Sequence, residues 1–289
     1  MTQDIYQQVT DRIIAELEAG AAPWVKPWKA DSTADKSIVS GKAYQGVNRM
    51  LLGISSMAQG FSSPYWATFK QWSDRGASVK KGSKGTQIIF YSPISKTLKD
   101  QVTGEDEDVS YAVLKTFYVF NAQQVEGAEV PAAPTVLDQF QIDSNAEALI
   151  AGTGARISHG GDAAFYSPGQ DRIQLPHKST FQDPASYYAT AFHELAHWTG
   201  HDSRLDRKLS GKFASPSYAF EELVAELSAA FLCQDHGISG ELRHAGYIGC
   251  WLKACKEDKR AIFRAASLAQ KASDFLHAQQ KAEGLKVAA

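Results

Sequence analysis

The sequence predicts an α+β protein in two parts. An N-terminal α+β part spans residues 1–128, and a mainly helical C-terminal part with a small antiparallel sheet spans residues 135–289. Three features lead there. Apolar residues recur at helical spacing at the start of the chain and through most of its last third. Two runs rich in β-branched and aromatic residues, Gln87–Tyr91 and Tyr111–Phe120, read as strands in the first half. Between the halves, Glu126–Pro134 gathers Gly127, Pro131, Ala132, Ala133 and Pro134, a composition that suits a linker. At 289 residues the chain also exceeds the roughly 100–150 of one ordinary domain.

In order, Ile5, Val9, Ile13 and Leu17 repeat every four residues and Gly20 follows, an amphipathic helix with a glycine stop. Pro23–Trp28 leaves the helix, stiffened by two prolines, and Tyr44–Arg49 leads into a short helix through Leu51 and Leu52. Tyr65–Trp72 carries aromatics at close helical spacing and is expected as another short helix. A basic turn, Val79–Gly85, precedes the first strand, and an acidic hairpin, Gly104–Asp108, precedes the second. In the second part a helix near Asp143–Ala151 is followed by a hairpin, Ala163–Tyr166 and Arg172–Pro176, joined by Ser167–Asp171. From Tyr187 onward the pattern is helical, with an apolar face at Trp251, Leu252, Cys255, Ile262, Phe263 and Leu268.

Several functional classes fall away on composition. With 44% hydrophobic and 21% charged residues and a net charge of −2, the chain reads as a folded, soluble protein. No run approaches the roughly 18 apolar residues of a membrane helix, and Met1–Asp4 opens no secretory leader, so a cytoplasmic protein without a membrane partner is expected. Cys233, Cys250 and Cys255 lack the paired spacing of a zinc ribbon and read as buried thiols. The Lys80–Gly85 loop lacks the Gly-Lys-Thr order of a P-loop, so ATP is not an expected ligand.

The sharpest chemistry lies at His193-Glu194-Leu195-Ala196-His197. Two histidines four apart project from one helix face and can hold one ion, while Glu194, further round, is suited to accept a proton from a water on that ion. A catalytic zinc takes three protein ligands and leaves one position open, so a third donor should come from a neighbouring helix. Tyr218–Ala230 supplies three carboxylates among apolar residues. Glu222 and Glu226 share a face one turn apart. Glu222 is assigned as third ligand and Glu226 as the carboxylate holding a histidine's outer N–H, with the reverse assignment open. Glu221, about 100° away, is expected in solvent. His201 is a weaker candidate, since three histidines on one straight helix span roughly 12 Å. The chemistry that follows is amide hydrolysis, with one Zn2+ per chain, other divalent metals also fitting such donors. Tyr218 or an arginine is suited to stabilise the oxyanion, and Arg172–Leu175 is suited to act as an edge strand for an extended peptide.

The first part holds four of the six tryptophans, Trp24, Trp28, Trp66 and Trp72, close to lysines and arginines. Aromatics stack on unpaired bases and basic groups track phosphates, so single-stranded DNA is the expected partner. The residues assigned to it are Trp24, Lys26, Trp28, Tyr44, Asn48, Arg49, Trp66, Lys70, Trp72, Lys80, Lys81 and Lys84.

Pro23–Trp28, Tyr44–Asn48, Gly82–Gly85, His193–His201 and Glu221–Glu226 together resemble the ArdC family of antirestriction proteins of conjugative plasmids. The resemblance covers nearly the whole chain. It implies an N-terminal single-stranded-DNA-binding domain, similar to that of TraC-type plasmid primases, and a C-terminal zincin-like, gluzincin-like metallopeptidase domain. It further implies protection of incoming conjugative DNA from host restriction, with His193, His197 and a downstream glutamate on the metal and Glu194 as base. Zincins with a Glu-x-x-Ala-acid segment favour Glu222. A host protein is a candidate substrate, though an intact motif alone does not imply that any protein is cut. Two other readings stay open: a metal-stabilised DNA protector without proteolysis, and a housekeeping zinc metallopeptidase that binds no DNA.

Overall fold

The computed structural model describes residues 4–18, 34–99, 106–131, 139–207, 215–238 and 248–287. Helix α1 (Ile5–Glu18) forms on the four-residue repeat and buries Val9, Ile13 and Leu17. After the short β1 (Lys36–Ser37) comes α2 (Gly46–Gln59), entered through Gly46 at φ +55°.

Tyr65–Trp72 is not one helix. It divides into a strand, β2 (Tyr65–Thr68), and a single turn of helix, α3 (Phe69–Ser73). The divider is Thr68, whose side chain accepts from Gln71 N–H while the Gln71 side chain accepts from Thr68 N–H. This reciprocal cap starts a helix at Phe69 and leaves the backbone before it extended. Strand β3 (Ser78–Val79) then precedes a long antiparallel hairpin, β4 (Thr86–Lys99) and β5 (Asp106–Asn121), paired from Thr86↔Val119 to Lys99↔Asp106. The hairpin outruns both runs read from the sequence. The sheet order is β1-β2-β5-β4, and β3 pairs separately with β6 (Val125–Glu126).

The second part begins with α4 (Gln139–Gly152), followed by β7 (Arg156–His159), β8 (Phe165–Ser167) and β9 (Arg172–Leu175). The expected hairpin is β8–β9, but β7 adds a parallel strand on the other side of β9, so the small sheet is mixed. Strand β9 is therefore central, and its backbone groups are already paired on both sides. Among the described residues, the strand at the sheet's edge near the site is β8, which corrects the assignment of that role to Arg172–Leu175. Four helices complete the fold: α5 (Pro184–Thr199), α6 (Pro216–His236), α7 (Ile248–Glu257) and α8 (Ala261–Val287). Among the described residues, no helix is long and apolar enough to cross a membrane. Cys233 and Cys255 are buried, free thiols.

The two parts share a core. Val9, Ile13 and Leu17 of α1 and Met50, Leu51 and Ile54 of α2 pack with Leu223 and Leu227 of α6, Trp251 of α7 and Ile262 of α8. Burial of such side chains stabilises by about 1.5–3 kcal/mol each, so the N-terminal helices draw much of their stability from C-terminal partners. Arg49 reinforces the joint. It is only 4% exposed and bonds Gln234 Oε1 at 2.7 Å, Phe231 O at 2.5 Å and Asp235 Oδ1 at 2.7 Å.

Candidate metal centre

Helix α5 is started by Asp183, whose carboxylate accepts from Ser186 N–H, with Pro184 in the first turn. Its buried face, including Ala189, Phe192, Leu195 and Ala196, fixes its rotation. That rotation sends His193 and His197 toward α6. Helix α6 is capped by Ser215, which accepts from Tyr218 N–H, and it ends at Gly237, at φ +68°. Ala225 and Ala229 are fully buried, and such small side chains allow close helix approach.

The nitrogens and the carboxylate converge. His193 Nε2 and His197 Nε2 are 3.1 Å apart, and Glu222 places Oε2 3.5 Å from the first and Oε1 3.4 Å from the second. Donors around a tetrahedral zinc, at about 2.0–2.1 Å from the ion, stand roughly 3.3 Å from one another. One donor atom from each of the three side chains lies within 4.8 Å of the others, close enough for small side-chain adjustments to bring all three onto one ion. Glu226 lies behind, its Oε1 3.6 Å from the outer nitrogen, Nδ1, of His193.

Glu221 departs from expectation. It is 7% exposed rather than solvated, and its Oε1 is 3.3 Å from His197 Nδ1. Arg207, from the segment after α5, grips it with two bonds, Nη2 to Oε1 at 2.8 Å and Nε to Oε2 at 3.1 Å, and also donates to Ala196 O at 2.6 Å. Each histidine therefore has a carboxylate at its outer nitrogen, Glu226 for His193 and Glu221 for His197. Such an arrangement leaves the inner nitrogens as donors to a metal. No local pattern announces Glu221, because its partner comes from another segment. Glu221→Gln and Arg207→Ala are each expected to weaken divalent-ion affinity by about 10–100-fold in calorimetric titration, with Tm monitored to exclude misfolding.

The electrostatics favour positive charge at the centre. Burial pulls the His197 pKa down, but hydrogen bonds donated to Glu221 and Glu222 and the charge of Glu194 outweigh it and push it up to about 10. His193 is also raised: burial opposes, while Glu226 and Glu222 prevail. Burial would raise Glu222, yet its bonds to both histidines hold it below the usual carboxylate range. The acidic set that favours protonated imidazoles also suits a divalent cation in their place, so the donors fit a metal in both chemistry and spacing.

A cavity of about 320 Å3 opens over His193, Glu194 and His197, walled by Phe165 and Tyr166 of β8 and by Tyr218 of α6. Tyr166 is held by a hydroxyl bond to Asp171, at 2.8 Å, which in turn pairs with Arg204. The Arg204 guanidinium lies over the Trp198 ring, 3.9 Å from its centroid, tying β8 to the end of α5. His201 stands apart in the following turn with Ser203 and Asp202 and is absent from the donor cluster.

Residues 144–268 match a zincin-like metallopeptidase family, and residues 3–120 match the N-terminal domain of anti-restriction factor ArdC. The metal-free crystal structure of the antirestriction protein ArdC from plasmid R388 superposes with a TM-score of 0.80 at 40% identity, covering 96% of this chain and 98% of that one. The chain belongs to the ArdC family. The Mn(II)-bound structure of R388 ArdC gives a TM-score of 0.76 at 38% identity, covering 96% of this chain and 98% of that one. An uncharacterized protein, y4eC, of Sinorhizobium fredii is 40% identical over 96% of this chain and 92% of its own length. The Escherichia coli DNA primase TraC is 41% identical over 94% of this chain, a stretch amounting to 27% of the primase.

In this ArdC-family fold the residues assigned to DNA separate into groups. Trp24, Lys26 and Trp28 lie outside the described residues. Trp66 and Trp72 are wholly buried, with indole N–H groups donating to Asp35 Oδ1 at 2.8 Å and to Phe120 O at 2.9 Å. Neither has a ring face for a base, and their location corrects the stacking role given to them. Arg49 is spent on α6. Asn48 clasps the backbone of Ile89, donating to its O at 2.6 Å and accepting from its N–H at 2.8 Å. Tyr44 is half-buried against the core of Leu52 and Trp66. Lys70, Lys80, Lys81 and Lys84 remain at the surface. Phe69, which belongs to the same aromatic cluster in the sequence, and Tyr118 are absent from that assignment, yet they are 61% and 59% exposed.

Proposed function

We propose that this ArdC-family protein is a cytoplasmic, plasmid-type antirestriction protein that binds single-stranded DNA and carries a zinc peptidase centre, protecting incoming conjugative DNA. The reading rests most on three converging donors, from His193, His197 and Glu222, sharing a cavity with Glu194 beside the outer edge of β8 in the described sheet. Zinc held by His193, His197 and Glu222 would supply Lewis acidity, lowering the pKa of water to about 7 and polarising a carbonyl. Glu194, 6% exposed and on the cavity wall, receives the proton and returns it to the leaving amine. Glu226 and Glu221 fix the two imidazoles. Tyr218 is the favoured oxyanion stabiliser, because the nearby Arg204 and Arg207 are committed to Asp171 and Glu221. The edge of β8 receives an extended segment of a host protein by strand addition.

Glu194→Gln is the test, since it removes the base and leaves all three donors. Cleavage of a quenched-fluorescent peptide library is expected to fall about 10²–10⁴-fold while bound metal, measured by elemental analysis, stays unchanged. The same assay on protein as isolated identifies the ion, with manganese and cobalt as alternatives to zinc. Undiminished cleavage by the variant would remove Glu194 from the chemistry. In matings into restricting recipients, protection that survives the substitution would assign protection to DNA coating instead of proteolysis.

A further inference from the structure

We propose that the bases of a single DNA strand stack on Phe69 and Tyr118 while Lys70, Lys80, Lys81 and Lys84 track its phosphates; this rests on the single-strand reading above. Buried tryptophans cannot stack, so a stacking surface must use aromatics whose faces reach solvent. Phe69 and Tyr118, 61% and 59% exposed, belong to one patch. Phe120 bridges them: its ring meets Phe69 edge-on with centroids 6.4 Å apart, and it stands two residues from Tyr118 on the same face of β5.

The basic loop is laid against this patch. Gln124 Nε2 donates to Lys84 O at 3.0 Å, and Lys80 Nζ donates to Gln123 O at 3.0 Å. Gly85 is the point of closest approach, where a Cβ would stand 3.1 Å from both Phe120 Cζ and Tyr118 Cβ. The absent side chain lets the loop lie directly on the Phe120 ring and the base of Tyr118, with Lys84 the adjacent residue in the chain. Lys70 follows Phe69, and its surface pair with Asp74 is 83% and 59% exposed, a contact weak enough in water to give way to a phosphate. Exposed apolar rings bordered by four lysines match an unpaired strand, which offers both base faces and phosphates. A duplex hides the base faces.

The hairpin itself provides the control. Phe117 adjoins Tyr118 in β5 and so points to the opposite face, where it meets Phe90, the pair being 43% and 57% exposed. Full-length protein is titrated into a fluorescein-labelled oligothymidylate, with anisotropy read across a salt series. Phe69→Ala/Tyr118→Ala is expected to weaken binding at least about tenfold, and Phe90→Ala/Phe117→Ala to leave it within about twofold. On unaltered protein, photocrosslinking to an oligonucleotide containing 5-iodouracil is expected to label the peptides bearing Phe69 and Tyr118. Tight wild-type binding undiminished in the first variant, or crosslinks confined elsewhere, would overturn this surface and leave the single-strand reading standing. Failure of the wild type to bind would overturn that reading, and the surface with it.

Discussion

Glu222→Ala is expected to weaken divalent-ion affinity by more than about 100-fold, whereas Glu226→Ala costs about 10–100-fold. The two carboxylates sit one turn apart on α6 and differ in which nitrogens they face. Glu222 meets both inner nitrogens, at 3.5 and 3.4 Å, so its loss removes a donor and the negative charge nearest the ion. Glu226 meets only the outer nitrogen of His193, at 3.6 Å, so its loss frees the ring to turn but leaves the donor set whole. Titration calorimetry of zinc or manganese into chelator-treated protein separates the two. A larger loss at Glu226 would exchange their roles.

Arg49→Ala is expected to destabilise the protein by about 3–5 kcal/mol in urea unfolding, nearer the lower figure because Asp235 keeps some solvent contact. The guanidinium satisfies Gln234, Asp235 and a backbone carbonyl of α6 while lying 4.6 Å from the centroid of the Phe231 ring. Burial would raise the Asp235 pKa, but the charge of Arg49 prevails and holds it below its ordinary value. A carboxyl depressed in this way stabilises the fold above its unfolded pKa, near 3.9, and that contribution fades as pH falls through the folded value. Without Arg49 the carboxylate keeps His277, at 3.2 Å, as a partner. Lysine would not replace the fork that reaches three acceptors at once. A loss below about 1 kcal/mol would show that the joint contributes little to stability.

Much of this was legible in the sequence wherever one segment determines its own structure. The four-residue repeat of α1 and the one-turn spacing of His193 and His197 required no distant information. The cap at Thr68 and Gln71 was also written locally, yet the aromatic spacing of Tyr65–Trp72 suggested a helix over the whole segment. Elsewhere local signals could not suffice. Trp66 and Phe69 are both aromatic and three residues apart, but one points into the core and the other into solvent, which only the sheet decides. Glu221 looked solvated because Arg207 reaches it from another segment. Strand β7 has four residues and an unremarkable composition, and it exists because β9 offers it an edge.

The shared core has a consequence for how such a protein can be handed from one polypeptide to another. Helices α1 and α2 bury their apolar faces against the last three helices, so a cut near residues 128–135 would expose a wide oily surface on each piece. A seam that leaves the shared core intact avoids that exposure. The kinship with TraC fits that restriction, since the alignment takes in 94% of this chain as a single stretch of a primase nearly four times as long. A unit built this way holds together as one piece, its N-terminal helices and its candidate metal centre resting on the stability of a single core.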